Sequence, residues 1–189
     1  MKVSERGLQF VAAREACTLT AHMDTTTLAV GFGQNNKNLK PDDEITIERA
    51  VELMCEFADG LDRSLNIIFG DIKCAQHQYD AVFSAAYNLG PTWLKNGNQH
   101  LIGAVKVHAE APADLQLRDL AGLAFCQIKG PPKVKDGPPR YPFNMSRRAR
   151  ECVLYTQGDY GDLSTMKLFR KNPREGHPFE VVPMARFAR

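Results

Sequence analysis

Two carboxylates offer the first chemistry in this sequence. Glu15 closes an apolar, helix-spaced segment and Asp24 follows nine residues later, ahead of a run punctuated by Gly31 and Gly33, in the stretch REACTLTAHMDTTTLAVGFG (residues 14–33). Acids held a fixed distance apart suit glycosidic cleavage: one protonates the leaving oxygen, and the other activates water or attacks the anomeric carbon. Glu15 has the setting of the acid, because the carbonyls at a helix C-terminus and apolar neighbours both disfavour a negative charge there. Asp24, among the hydroxyls of Thr25, Thr26 and Thr27, has the setting of the base. The pair alone is not diagnostic, since single acids in terminal helical turns and in loops are common. Cys17, His22 and Asp24 carry the residue types of a cysteine peptidase, but they crowd into eight residues without a Gly-rich elbow or a remote histidine. The five histidines form no HxxH or HxxxH pair, so neither a metal nor a cofactor is expected.

The elements that must position the acids follow from periodicity. Ser4 is a candidate N-cap for a helix from about residue 5 to Ala16, with Leu8, Val11, Ala12 and Glu15 at helical spacing. Residues 18–34 change to alternation, Leu28, Val30 and Phe32 on one face and Thr27, Ala29, Gly31 and Gly33 on the other, which predicts a hairpin or short sheet. The second face carries little side-chain bulk, leaving room for a sugar ring to approach the backbone. Thr46 then caps a long helix with Ile47, Ala50, Val51, Met54, Ala58 and Leu61 on one side. Further helices are predicted over 75–89, 98–109 and 114–126, and another begins near Ser146 or Asn144 after the Pro- and Gly-rich segment KGPPKVKDGPPRYPFN. From Gly158 onward no period is clear, and the reading is an extended surface segment with at most one short strand.

A chain of 189 residues, 43% hydrophobic, suffices for one domain or for two lobes sharing a helix. Its longest apolar runs fall well short of the roughly 18 residues of a membrane span, and Glu5, Arg6 and Arg14 interrupt the N-terminus, so neither a span nor a secretory signal is expected. Synthesis in the cytoplasm is the corresponding expectation. Cys17, Cys55, Cys74, Cys126 and Cys152 lack CxxC spacing and are expected as free thiols. The net charge of +2 does not call for a nucleic-acid partner, yet residues 140–189 hold ten Lys or Arg against five Asp or Glu. That basic end suits an anionic surface such as a cell wall.

Four ordered blocks then carry a resemblance. Glu15, Asp24 and AVGFGQ resemble the E-(x)8-D and T-I-G-x-G-H signature of phage-type lysozymes, glycoside hydrolase family 24. ITIERAVELM at 45–54, QHQYDAVFSAAYNLG at 76–90 and RRARECVLY at 147–155 resemble later blocks of that family in the same order. The resemblance implies an α+β, lysozyme-like fold over residues 1–158: a small β lobe at about 15–45, a larger helical lobe at about 46–158 with the first helix, and a long joining helix. Residues 159–189 fall outside it as a basic C-terminal extension, read as an aid to wall attachment.

It also implies an endolysin that cleaves the β-1,4 bond between N-acetylmuramic acid and N-acetylglucosamine in peptidoglycan. Glu15 would be the general acid and Asp24 the base or nucleophile, with no cofactor. Substrate contacts would come from Thr26, Gly31, Phe32, Tyr87, Asn88 and Arg147, the last aligning with an arginine that pairs with the glutamate in relatives. The implied setting is a monomer made in the bacterial cytoplasm that reaches the wall once a holin opens the membrane. Three positions depart from the family: its Gly after the glutamate is Ala16, its Thr is Ala29, and its His is Gln34. Ala29 supplies no hydroxyl for the attacking water, which makes Thr27, or Thr26, the substitute and keeps two other readings open: an impaired binding or virion module, and a lytic transglycosylase.

Overall fold

The computed structural model describes residues 1–188 apart from 25–26, 36–37, 132–138, 142, 172 and 174–175. Its elements run α1 (Glu5–Glu15), β1 (Cys17–Asp24), β2 (Thr27–Gly31), β3 (Gln34–Asn35), α2 (Ile47–Phe69), α3 (Gln76–Leu89), α4 (Pro91–Gly97), α5 (Gln99–Glu110), α6 (Leu115–Cys126), α7 (Met145–Gln157), β4 (Thr165–Phe169) and β5 (Glu180–Pro183). The chain forms two compact units, a helical one of Met1–Gly7 with Gly60–Tyr160 and a sheet-bearing one of Leu8–Asp59 with Gly161–Arg189. Helices α1 and α2 each start in one unit and finish in the other. Ala50, Met54, Ala58, Leu61, Leu65 and Phe69 are the buried stripe of α2, and Thr46 caps it by accepting the Arg49 N–H at 3.2 Å.

In the helical unit, buried carboxylates fix the chain start. Asp62 accepts from the Val3 N–H at 3.2 Å and the Tyr79 hydroxyl at 2.9 Å, while Asp80 accepts from the Ser4 N–H at 3.0 Å and the Tyr160 hydroxyl at 2.6 Å. Ser4 Oγ in turn receives the Gly7 N–H, the N-cap that the sequence anticipates. Helix α4 was not anticipated: Gly90 and Pro91 read as a stop, but proline at a first helical position costs nothing because that N–H has no intrahelical acceptor. Asn144 occupies the N-cap of α7 in a left-handed conformation and makes no side-chain cap bond, and Ser146 lies inside the helix.

The sheet-bearing unit has strand order β3-β2-β1-β4-β5. Antiparallel β1–β2 and β2–β3 pairs form the expected hairpin. The remaining two strands come from the segment read as an extension: β4 pairs parallel with β1 through Cys17↔Leu168 and Thr18↔Phe169, and β5 pairs antiparallel with β4. Strands β4 and β5 therefore complete the sheet. Met166 and Leu168 are buried between exposed Thr165 and Lys167, a period-2 pattern too short to stand out beside Gly, Pro and charged neighbours. The tail is also anchored, since Phe187 is buried with its ring 5.7 Å from Phe32 and the Ala185 carbonyl accepts from Gln9 Nε2 at 3.4 Å. Removing the side chain of Leu168 tests this: Leu168→Ala is expected to lower stability by about 2–5 kcal/mol in urea denaturation, whereas an appended tail would leave it unchanged.

Candidate active site

Glu15 is the last residue of α1 and is half-buried. The chain must turn sharply after it to enter β1, and Ala16 makes that turn in the left-handed region at φ 59°. A residue with a Cβ is strained there, which is why the related position is glycine in the lysozyme pattern. Arg14 braces the same turn, its Nη1 donating to the Phe10 carbonyl at 2.6 Å and its guanidinium stacking 3.4 Å above the Phe10 ring. A cation in the last turn of a helix offsets part of the negative potential at its C-terminus.

The hairpin register sets the second acid. Asp24 pairs with Thr27, Met23 with Leu28, and His22 with Ala29, after which β1 bulges before Thr18 meets Gly31. Directly opposed residues share a face, and so do residues two apart, so Asp24, Thr27, His22 and Ala29 lie together on one side of the hairpin. Asp24 and Thr27 are exposed near its tip, His22 is half-buried and Ala29 is buried. The bulged residues are held by the segment before α2: Ala21 N–H donates to the Asp43 carbonyl at 2.8 Å, Ile45 N–H to the Leu19 carbonyl at 2.9 Å, and Thr20 bridges to Glu44. Thr26, named as a substitute hydroxyl and substrate contact, lies outside the described residues, as does Thr25.

The Gly-Phe-Gly turn has another purpose than the one read from its low bulk. Gly31 and Gly33 both have positive φ, at 65° and 89°, and a Cβ on Gly31 would stand 2.7 Å from Gln34 Oε1. Gln34 closes the turn by accepting the Phe32 N–H at 2.8 Å. Gly31 is buried, and Phe32 has no exposed surface and packs on Phe187. Both serve the turn and the core beneath it, which corrects their reading as sugar contacts. Cys17 is also fully buried, and burial pushes its thiol up to about 12. With no thiolate at neutral pH, it cannot be the nucleophile of a Cys17–His22–Asp24 peptidase.

Tyr87, Asn88 and Arg147 belong to the helical unit. Tyr87 is half-buried with its ring 6.2 Å from that of Phe83. The Asn88 side-chain carbonyl accepts from Arg148 Nη2 at 2.8 Å and Asn144 Nδ2 at 3.1 Å, so it ties α3 to α7. Arg147 is buried, its Nε 3.1 Å from Glu151 Oε1 and its Nη2 3.0 Å from the Ser84 carbonyl. Glu151 also faces Arg148 at 2.8 Å and receives the Ser84 hydroxyl at 2.7 Å. Trp93 donates to the Lys129 carbonyl at 2.6 Å, a packing role. Among the described residues, no group of three or more His, Cys, Asp or Glu side chains stands together as a metal site, and no helix is long and apolar enough to cross a membrane. None of the five cysteines forms a disulfide.

A model of the phage lysozyme family matches residues 12–114, more than half of the chain. The chain belongs to that family. The endolysin of Bacillus phage PZA is 24% identical over 165 residues, covering 84% of this chain and 56% of the relative. That of Bacillus phage B103 is 30% identical over 103 residues, covering 51% and 37%. The chain thus spans about half or less of the length of these relatives. Among solved structures, an endolysin from Escherichia coli O157:H7 phage FAHEc1 superposes with a TM-score of 0.67 at 21% identity, covering 86% of this chain and 98% of that one. A mutant of P22 lysozyme gives 0.60 at 21% identity, covering 82% and 98%. The fold is therefore the α+β lysozyme fold that the ordered motifs implied.

Ala16 provides a direct test of the strained junction. Relief of about 1–2 kcal/mol of left-handed strain, less about 0.4–1 kcal/mol for glycine's larger unfolded-state entropy, leaves Ala16→Gly more stable by roughly 0.5–1 kcal/mol. A rise of about 2–3 °C in Tm is the expected readout, and a fall would show that the alanine is not strained.

Proposed function

We propose that this protein is an endolysin that hydrolyses the β-1,4 bond between N-acetylmuramic acid and N-acetylglucosamine of peptidoglycan. The observation that carries the reading is the junction of α1 with the hairpin: one turn ends the helix on Glu15, and the strand that follows it presents Asp24 beside Thr27. The family match and the names of the related proteins support the substrate class.

In this mechanism the Glu15 carboxyl delivers its proton to the glycosidic oxygen as the C–O bond breaks. Asp24 takes a proton from water that attacks the anomeric carbon from the opposite face, which inverts that centre and returns Glu15 for reprotonation. Thr27, directly across from Asp24, places its hydroxyl beside the carboxylate, where it holds the carboxylate oxygen and the approaching water in line. The chemistry needs no cofactor. We further propose that the protein acts as a monomer made in the bacterial cytoplasm and that a holin-type pore gives it access to the wall.

The experiment is lysis of outer-membrane-permeabilised Gram-negative cells together with release of reducing ends from purified sacculi. The native protein is expected to do both, and Glu15→Gln neither. Binding to sacculi with no fragments released and neither reducing nor 1,6-anhydro ends formed by the native protein would overturn hydrolysis in favour of a wall-binding module. Ala29, in place of the family hydroxyl, is the observation that favours the second reading, a lytic transglycosylase, and mass spectrometry decides between them because transglycosylation leaves 1,6-anhydro ends. At Asp24, the neighbouring Thr27→Val is expected to lower kcat by roughly 10- to 100-fold while Thr27→Ser retains most of it; equal rates for Val and Ser would remove the hydroxyl from the mechanism.

A further inference from the structure

We propose that His22 is a third catalytic residue, which holds the attacking water through its Nε2 at the place where Ala29 offers nothing. The proposal rests on the reading of Glu15 and Asp24 as an inverting pair. A water attacking on that route has two hydrogens, one taken by Asp24 and one that needs an acceptor once the sugar has displaced bulk solvent. The face that carries Asp24 and Thr27 continues, one pair deeper in the hairpin, with His22 opposite Ala29. Alanine has no polar side-chain atom, so the imidazole is the acceptor that the register supplies at that level.

The ring is set for that purpose. His22 Nδ1 lies 3.3 Å from the Thr20 carbonyl, and a carbonyl oxygen only accepts, so this contact assigns a proton to Nδ1 and leaves Nε2 as the ring atom turned to other partners. The Thr20 carbonyl belongs to the bulge that residues 43–45 hold through the Ala21 and Ile45 N–H groups, and bulges commonly re-aim the side chain beside them. His22 and Asp24 are two residues apart on one strand, about 6.7 Å along it. Side chains that far apart on one face can share a single bridging water. The polar group that the family pattern keeps on the second strand is thus supplied from the first.

The experiment compares kcat and KM for soluble peptidoglycan fragments. His22→Leu is expected to lower kcat roughly 30- to 100-fold with KM and Tm unchanged, and His22→Gln, which keeps an acceptor, to stay within about fivefold of the native rate. A hydroxyl restored across the strand is the deciding variant: Ala29→Thr added to His22→Leu is expected to recover at least about tenfold, which a merely structural histidine would not allow. Where the Leu variant melts below the assay temperature, His22→Phe preserves the ring volume and takes its place. An unchanged kcat in the apolar variant, or a loss that Ala29→Thr does not recover, overturns the proposal. Glu15→Gln, run alongside, separates the two readings: if it stays active the acid assignment itself fails, whatever His22 shows.

Discussion

Strand β1 is hydrogen-bonded on both sides, antiparallel to β2 and parallel to β4, and the placement of both acids follows from that constraint. A strand with a neighbour on each edge has little freedom to shift register, because a slip of one residue would turn every side chain to the opposite face. Cys17 and Thr18 take the β4 pairing at the very start of the strand, next to the left-handed Ala16, so the helix end that carries Glu15 is fixed from the sheet side. Asp24 is fixed at the other end of the same strand by its pairing with Thr27. The C-terminal strands are therefore part of what holds the acid, not an attachment to a finished domain. Strain at Ala16 is tolerated for the same reason: paired structure on both sides of the junction over-determines it.

In the helical unit the corresponding constraint is polar. Asp62 and Asp80 are buried, and each accepts a backbone N–H from the chain start together with a tyrosine hydroxyl. Glu151 is buried against two guanidiniums and the Ser84 hydroxyl. Such groups contribute little net stability when complete, but loss of one partner leaves a buried charge uncompensated, so they select one arrangement of helices over others. The QHQYDAVFSAAYNLG and RRARECVLY blocks contain Asp80, Ser84 and Asn88, and Arg147, Arg148 and Glu151. Much of what looks like a functional signature in those blocks is the bonding of α3 to α7 and of α3 to the chain start.

That distinction explains what was legible in the sequence. The long amphipathic α2, its Thr46 cap and the hairpin at 18–34 were readable because each shows its period over several turns or pairs. Strands β4 and β5 were not, because five and four residues cannot display a period against flanking prolines and charges, and because a parallel pairing to β1 is a long-range fact with no local trace. That Glu15 closes the first helix was readable from helical spacing. The burial of Phe32 and Gly31 was not, since a Gly-Phe-Gly run looks the same whether its glycines make room for a ligand or permit a turn, and here positive φ and the Gln34 contact decide for the turn.

The departures from the lysozyme pattern are connected through that turn and that register. With glutamine in place of the family histidine, position 34 spends its side-chain carbonyl on the Phe32 N–H, leaving that group committed to the β2–β3 turn. The hairpin register sets Thr27 opposite Asp24 and Ala29 opposite His22, and so decides which polar groups share the Asp24 face. The missing hydroxyl at position 29 thus faces a strand that carries an imidazole at the same level. Positions 29 and 34 belong to neighbouring pairs of one hairpin, and reading Ala29 alone as a lesion overlooks the two side chains that the same register brings beside it.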